Sequence, residues 1–427
     1  MSDPAAALPE RERRRSFRLG VWNSALYMGG EGLVDANTVV PVFLAGLGTP
    51  NWLIGFAAAL PDFGWFLPQF ATVPLLSRRA RSIGLYRLAA VLRGLSFALL
   101  AALIVPLAAH PAALLATFLA CYGIYSFSGG LAAVPFMEVV GRTVPRERLG
   151  AFWAQRLFWG GITTVLAGLL VRHLLHGGTE APRFALLFGL ATVLVTAGYA
   201  LFSAVREPEL PPTPERAGPL GMLREGGRLL AHDAHFRRLL VARGTLSAWF
   251  AAAPFITLFA VRELGGSART AGTFLLVRMA GFVVANLLWH RVSRRQGDHV
   301  LMRIGAAGVA GLTLAAALVA LLSPWQLGWL GAAQSATVAG YSSLMLTLAP
   351  PGRRQAFIGL INTFLGPIML LPMLGGWLVD RLNAPALFAL CAVAALVGVR
   401  AAWRLPAARG PATPEAAGEG ERPGHAG

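Results

Sequence analysis

The chain contains no lysine; all 37 of its Lys/Arg positions are arginine. A nucleotide-binding loop of the form G-x-x-x-x-G-K-[ST] needs its lysine on the terminal phosphates, so ATP-driven pumping by this chain alone is excluded. Cysteine is almost as scarce. Cys121 and Cys391 both fall inside apolar runs, which leaves no disulfide framework and no thiolate metal cluster. No H-E-x-x-H or other metal spacing occurs, and no nucleophile–base constellation is visible. No metal, no cofactor and no enzymatic activity are expected. Charge is also sparse: 13% of residues are Asp, Glu, Lys or Arg, against about 25% in an ordinary soluble domain.

What remains is apolar. Of 427 residues, 56% are hydrophobic, and the mean hydropathy is +0.59. These values describe an integral membrane protein. The formal charge of +17 does not indicate nucleic acid, because the arginines sit mostly in short gaps between apolar runs and no soluble basic domain is present. The first 18 residues form a basic flank, but the apolar run after them is too long for a signal-peptide core and lacks a clear cleavage site. The first span is therefore read as retained.

Spanning-length runs recur at 19–45, 52–75, 84–106, 112–137, 150–171, 183–204, 239–261, 268–289, 300–322, 325–348, 356–379 and 384–403. The fold class expected is all-α: a polytopic membrane protein of twelve transmembrane helices in two pseudo-symmetric six-helix bundles. Arginines crowd alternate loops: Arg78, Arg79 and Arg81; Arg142, Arg146 and Arg148; Arg291, Arg294 and Arg295; Arg353 and Arg354. The opposite loops at 46–51 and 108–111 have none. The bias places both termini in the cytoplasm and the chain in the cell (inner) membrane. The domains expected are a cytoplasmic tail at 1–18, bundles at 19–204 and 239–404, a Pro- and charge-rich cytoplasmic linker at 205–238, and a disordered tail at 405–427.

The halves repeat. Ser77, Arg78, Arg79, Leu85 and Arg87 match Ser293, Arg294, Arg295, Leu301 and Arg303 at a constant spacing of 216. Pro145, Arg148, Ala151 and Phe152 match Pro350, Arg353, Ala356 and Phe357 at a spacing of 205. Two copies of one six-helix unit are the symmetry of an alternating-access transporter, with its site between the halves near the midplane.

On these features the chain resembles a major facilitator superfamily permease over nearly its whole length. The family's loop signature is G-x-L-x-D-R-x-G-R-R. The second copy keeps Arg295 and Gly297 but has His290 and Arg294 at the Gly and Asp positions; the first keeps Arg79 and has Arg78 at the Asp. The resemblance implies gating roles for these loops, without the family's acidic residue. The helix-4 pattern R-x-x-Q-G of proton-coupled members reads Tyr125, Ser128 and Gly129 here. The antiporter pattern of helix 5 is absent. The run from Val34 through Asp35, Asn37 and Thr38 to Pro41 is similar to the L-D-x-T-x-V-x-x-A-x-P run of drug:proton antiporters, which favours efflux.

Three carboxylates lie inside spans. Glu31 and Asp35 sit ~18 and ~24 Å into the first one, at i, i+4 spacing that would share a helix face and titrate as a coupled pair. Asp62 lies in span 2, and its repeat mate is Arg278 in span 8. These two could hold the ends of a substrate, break and re-form as an ion pair during transport, or make fixed structural bridges. Charges at such depth are costly and usually functional. Arg93, Arg156 and Arg243 lie near the inner face, where snorkelling is the default, with Arg156 as a cavity candidate. Asn23, Asn37, Tyr125, Gln334, Tyr341 and Asn362 are candidate polar lining. The reading is a monomeric secondary transporter exchanging a small organic molecule against protons across the bilayer. Its rivals are uptake of an anionic nutrient through Arg278 and a non-transporting membrane sensor.

Overall fold

The computed structural model describes residues 8–68, 72, 81–209, 228, 230–232, 234–296, 298–318, 332–333, 336 and 366–404. Every regular element among them is helical. In chain order these are α1 (Glu10–Leu33), α2 (Val39–Gly46), α3 (Asn51–Phe66), α4 (Ile83–Ile104), α5 (Pro111–Thr143), α6 (Leu149–Leu174), α7 (Ala181–Ser203), α8 (Ala234–Leu246), α9 (Trp249–Arg262), α10 (Arg269–Gln296), α11 (Asp298–Ala317), α12 (Leu371–Arg381) and α13 (Ala384–Trp403). Seven helical segments are long and apolar enough to cross a membrane: Ile83–Ile104, Pro111–Thr143, Leu149–Gly177, Ala181–Ser203, Phe236–Arg262, His299–Ala317 and Ala384–Trp403. They match expected spans 3–7, 9 and 12. Span 10 lies almost wholly outside the described residues, as does much of span 11.

The helices are built for lipid. On α4, Leu88, Val91, Leu95 and Leu99 are exposed while Tyr86, Arg93, Ser96 and Phe97 are buried. Side chains three and four apart share a face, so the outward face is apolar while Arg93 and Ser96 lie on the buried one. Apolar groups can face hydrocarbon, whereas an arginine cannot be left there unpaired.

The first span differs from expectation. It is not one helix over 19–45: α1 starts at Glu10, and the chain leaves helical geometry over residues 34–38 before α2. Pro41 supplies the reason. It has no N–H to give the carbonyl of Asn37, and its ring would clash with that carbonyl in a continuous helix. The freed Asn37 oxygen instead accepts a bond from Thr257 Oγ1 of α9 at 3.1 Å. Non-helical backbone at membrane depth needs such an internal partner. Before the span, Glu10 binds Arg13, Arg14 and Arg148 at 2.7–3.0 Å. The bonds from Arg14 and Arg148 hold its carboxyl below the ordinary range.

The segment after α7 also departs from the sequence reading. Glu207, assigned to a solvated linker, has a fully buried side chain. It accepts the backbone N–H groups of Ser82 and Ile83 at the start of α4, at 2.7 and 2.8 Å, and pairs with Arg142 at 2.9 Å. An anion at a helix N-terminus satisfies orphan donors and the macrodipole together. Glu138 also pairs with Arg142, at 2.9 Å.

The two halves of the chain meet at the end of the molecule carrying the 46–51 turn. There Gly376 of α12 lies against the backbone of Asn51 and Trp52, and Gly55 of α3 lies against Pro372, so close that no side chain fits at either glycine. Asp380 of α12 caps α3 by accepting from Asn51 Nδ2 at 2.9 Å and from the Trp52 N–H at 3.0 Å. On the other flank Gly168 of α6 abuts the Leu276 backbone of α10, and Gly272 abuts that of Arg172. Small residues let these helices approach closely without any hydrophobic drive between them. Replacing Gly376 by Leu should wedge α3 and α12 apart. A reporter made by Ala253→Cys, shielded in the parent, would then react with a membrane-impermeant maleimide from the 46–51 side; Cys121 and Cys391 are buried and give little background.

Candidate functional site

The site is assembled around the break in the first span. Asp35 sits inside it. Its Oδ1 accepts the Asn37 N–H at 3.0 Å and the Thr38 hydroxyl at 2.9 Å, and its own carbonyl takes the N–H groups of Thr38, Val39 and Val40. The carboxylate thus closes an Asx turn with one oxygen, while the backbone carbonyl takes the first N–H groups of α2. The other oxygen, Oδ2, receives Arg278 Nη2 of α10 at 2.6 Å. This ion pair joins the first half of the chain to the second. Both partners are largely buried, with side-chain exposures of 16% for Asp35 and 8% for Arg278. Arg278 Nε is buried without a partner among the described residues. Beside it is a cavity of about 20 Å³ lined by Asn37, Thr38, Trp249, Ala253, Ile256, Thr257 and Phe274. That volume holds about one water.

Glu31 belongs to a different cluster. Its Oε1 accepts from Arg93 Nη2 of α4 at 2.8 Å and from the hydroxyl of Tyr125 of α5. The Arg93 guanidinium lies 3.7 Å from the Tyr125 ring centre, 5.3 Å from that of Tyr199 and 5.5 Å from that of Tyr27. Stacking on aromatic faces is one of the few ways to hold a desolvated guanidinium. Gly129, one turn along α5 from Tyr125, leaves the space that guanidinium fills; a Cβ there would collide with it. Gly129 of α5, at the glycine of the R-x-x-Q-G pattern, thus makes room for Arg93 of the neighbouring α4.

Two expectations are corrected by this geometry. Glu31 and Asp35 do not share a helix face, because the Pro41 break turns the chain between them, and each carboxylate has its own arginine. A mutual proton-sharing pair is replaced by two separate ion pairs. Arg93 does not snorkel to the inner face: it is 3% exposed and buried against Glu31. The signal was present in α4, where Arg93 falls in the helical register of Tyr86, Ala89, Phe97 and Leu100, all buried.

The remaining candidates scatter. Asp62 of α3 forms no ion pair among the described residues, and Arg243 of α8 exerts the main attraction on it. Its repeat mate Arg278 is engaged by Asp35 instead. Arg156 of α6 is tied to α1 through the Gly20 carbonyl and Asn23 Oδ1, the latter at 3.0 Å, and lies 4.5 Å from the Phe136 ring centre. Asn23 also donates to the Gly198 carbonyl of α7 at 2.9 Å. Arg156 therefore stands apart from the Asp35–Arg278 pair. Arg78, Arg79 and Gly297 lie outside the described residues, as do the side chains of Arg294 and Arg295 and the candidates Gln334, Tyr341 and Asn362.

The sequence profile of the Major Facilitator Superfamily matches residues 21–368. The chain belongs to this superfamily. Solved structures of similar fold include a POT family transporter in complex with 5-aminolevulinic acid, at 13% identity and TM-score 0.67 over 91% of this chain and 95% of that one. A bacterial homologue of the iron transporter ferroportin in an inward-facing state aligns at 14% identity and TM-score 0.66, over 92% and 99% of the two chains. FucP, in its outward conformation, aligns at 19% identity and TM-score 0.60, over 93% and 100%. No curated protein sequence matches this chain. As a superfamily member the protein is an integral multi-pass membrane transporter.

Removing one partner of a buried ion pair costs about 3–5 kcal/mol, because the other charge is stranded. Asp35→Asn and Arg278→Gln should each destabilise on that scale in micelles. The double variant should lose clearly less than the sum, and a thermodynamic cycle built on chemical unfolding measures the difference.

Proposed function

We propose that this protein is a proton-coupled secondary transporter that exports a small organic molecule by alternating access, with Asp35 and Arg278 as the coupling pair. One observation carries the reading: the Asp35–Arg278 ion pair bridges the two halves of the chain at 2.6 Å. Alternating access moves the halves, 19–204 and 239–404, against each other, so this bond must break and re-form once per cycle. A proton on Asp35 removes its charge and releases Arg278. Ionised Asp35 pulls α10 back toward the start of α2. Glu31, bound to Arg93 and Tyr125 within the first half, is a second proton store that keeps its partners whichever way the halves rock. The arrangement corresponds to the conformer closed at the 46–51 end, with cargo entering from the side of the basic loops that carry Arg78, Arg79, Arg294, Arg295 and Gly297. The protein acts as a monomer in the inner membrane, with both termini in the cytoplasm. The antiporter-like run at Val34–Pro41 supports export.

A second reading is favoured by the charge count. Of the span-embedded acids, Glu31 and Asp35 are paired with arginine and Asp62 lies closest in electrostatic terms to Arg243. Arg156 has no carboxylate partner among the described residues, and residues 299–379 contain no Asp or Glu that could supply one. In this reading the molecule carried bears an anionic group, held by Arg156 rather than by the already neutralised Arg278.

Comparing the small-molecule content of cells with and without the protein identifies the cargo. In proteoliposomes the wild type should then show cargo-evoked proton flux, read with an internal pH dye. Asp35→Asn should abolish the coupling while cargo still binds, and coupled flux persisting in that variant would falsify the assignment. Arg156→Gln separates the two readings. It should raise KM about tenfold or more for an anionic cargo, the worth of one charge-assisted hydrogen bond, and leave KM for a neutral or cationic one near wild type.

A further inference from the structure

A groove of about 820 Å³ between α4 and α7, lined on α4 by Arg87, Ala90, Val91, Gly94, Leu95 and Ala98, has no part in the site above. Its rims are apolar side chains that stand out from the helices, with Val91 55%, Leu95 65% and Val193 64% exposed. Its floor is made of small residues. The helices touch where Gly94 meets Thr196, whose Oγ1 would be only 2.9 Å from a Cβ placed at the glycine.

Two features say what fills it. The first is length. The groove runs along α4 from Arg87 to Ala98, ~16 Å at 1.5 Å per residue. That is about half of the ~30 Å hydrocarbon core, so the groove is as long as one leaflet. The second is charge at one end only. Arg87 lies at the end where α4 begins, one turn into the helix. Its Nε and Nη2 both donate to the Ser203 carbonyl, at 3.2 and 2.8 Å. The guanidinium is thereby fixed in orientation and has no carboxylate partner among the described residues, and Nη1 remains for a ligand at headgroup depth. The rest of the lining is Ala, Gly, Val, Leu and two Thr, of which Thr192 already gives its hydroxyl proton to the Phe188 carbonyl.

We propose that this groove binds one anionic diacyl phospholipid of the leaflet at the Arg87 end, with its phosphate on Arg87 and an acyl chain along the α4–α7 seam. The occupant would couple lipid composition to the packing of α4 and α7, whose buried faces hold Arg93 and Tyr199.

The test is native mass spectrometry of the full chain released from nanodiscs containing equal phosphatidylglycerol and phosphatidylcholine. The wild type should retain one phosphatidylglycerol per chain, preferred at least about fivefold over phosphatidylcholine, the selectivity expected of a single arginine at the interface. Ala98→Leu and Ala200→Leu place side chains into the groove from its outward faces and should each remove the bound lipid without lowering the unfolding temperature. Arg87→Gln should keep a lipid and lose the preference. Equal retention of both lipids by the wild type, unchanged retention in both leucine variants, or a lipid-free dimer covering the groove would each overturn the proposal. The readout is lipid retention, so it stands or falls independently of the transport reading.

Discussion

A charge inside a bilayer needs a partner, and that single constraint arranges this protein. The three carboxylates and four arginines deepest in the spans are distributed so that opposite signs meet across helix boundaries. Glu31 reaches α4, Asp35 reaches α10, and Asp62 lies within electrostatic range of α8. Helix positions follow from these meetings as much as from apolar packing, since lipid gives helices little reason to prefer each other over hydrocarbon. Where no opposite charge is at hand among the described residues, aromatic rings take its place: Arg156 lies over Phe136 and within 5.5 Å of Trp153.

The pair between Asp35 and Arg278 differs from the others in what it connects. Glu31 and Arg93 belong to one half of the chain and can stay bound whatever the halves do. Asp35 and Arg278 belong to different halves. Beside them Thr257 satisfies the Asn37 carbonyl, so the broken backbone of the first span is completed by the opposite half. The interruption that Pro41 forces is therefore stable only while the halves are together at that point. When they separate, water or cargo must supply what Thr257 and Arg278 supply now.

Much of this was legible in the sequence, and the failures have identifiable causes. The membrane class, the all-helical fold and the family followed from scarce charge, recurrent apolar runs and the loop repeat at a spacing of 216. The embedded residues Glu31, Asp35, Asp62 and Arg278 stood out because ionisable groups at such depth are rare. Their pairing did not follow. The i, i+4 rule assumes an unbroken helix, and Pro41 voids it three residues after Thr38 by releasing one carbonyl. Arg93 was hidden by a default about long basic side chains, although its register with Tyr86 and Phe97 placed it on the buried face. Glu207 was missed because its neighbours Pro208 and Glu209 read as solvated linker, and nothing local reveals that a carboxylate caps a helix more than 120 residues away.

Glu207 has a mechanical consequence. The connector between the halves does not begin where α7 ends but at the first residue past this anchor. Any tension drawn through the connector as the halves rock is delivered to a three-way knot of α4, α5 and the α7 exit, not to the last turn of α7. The first half is thus gripped as one block where Glu207 joins α4 and α5.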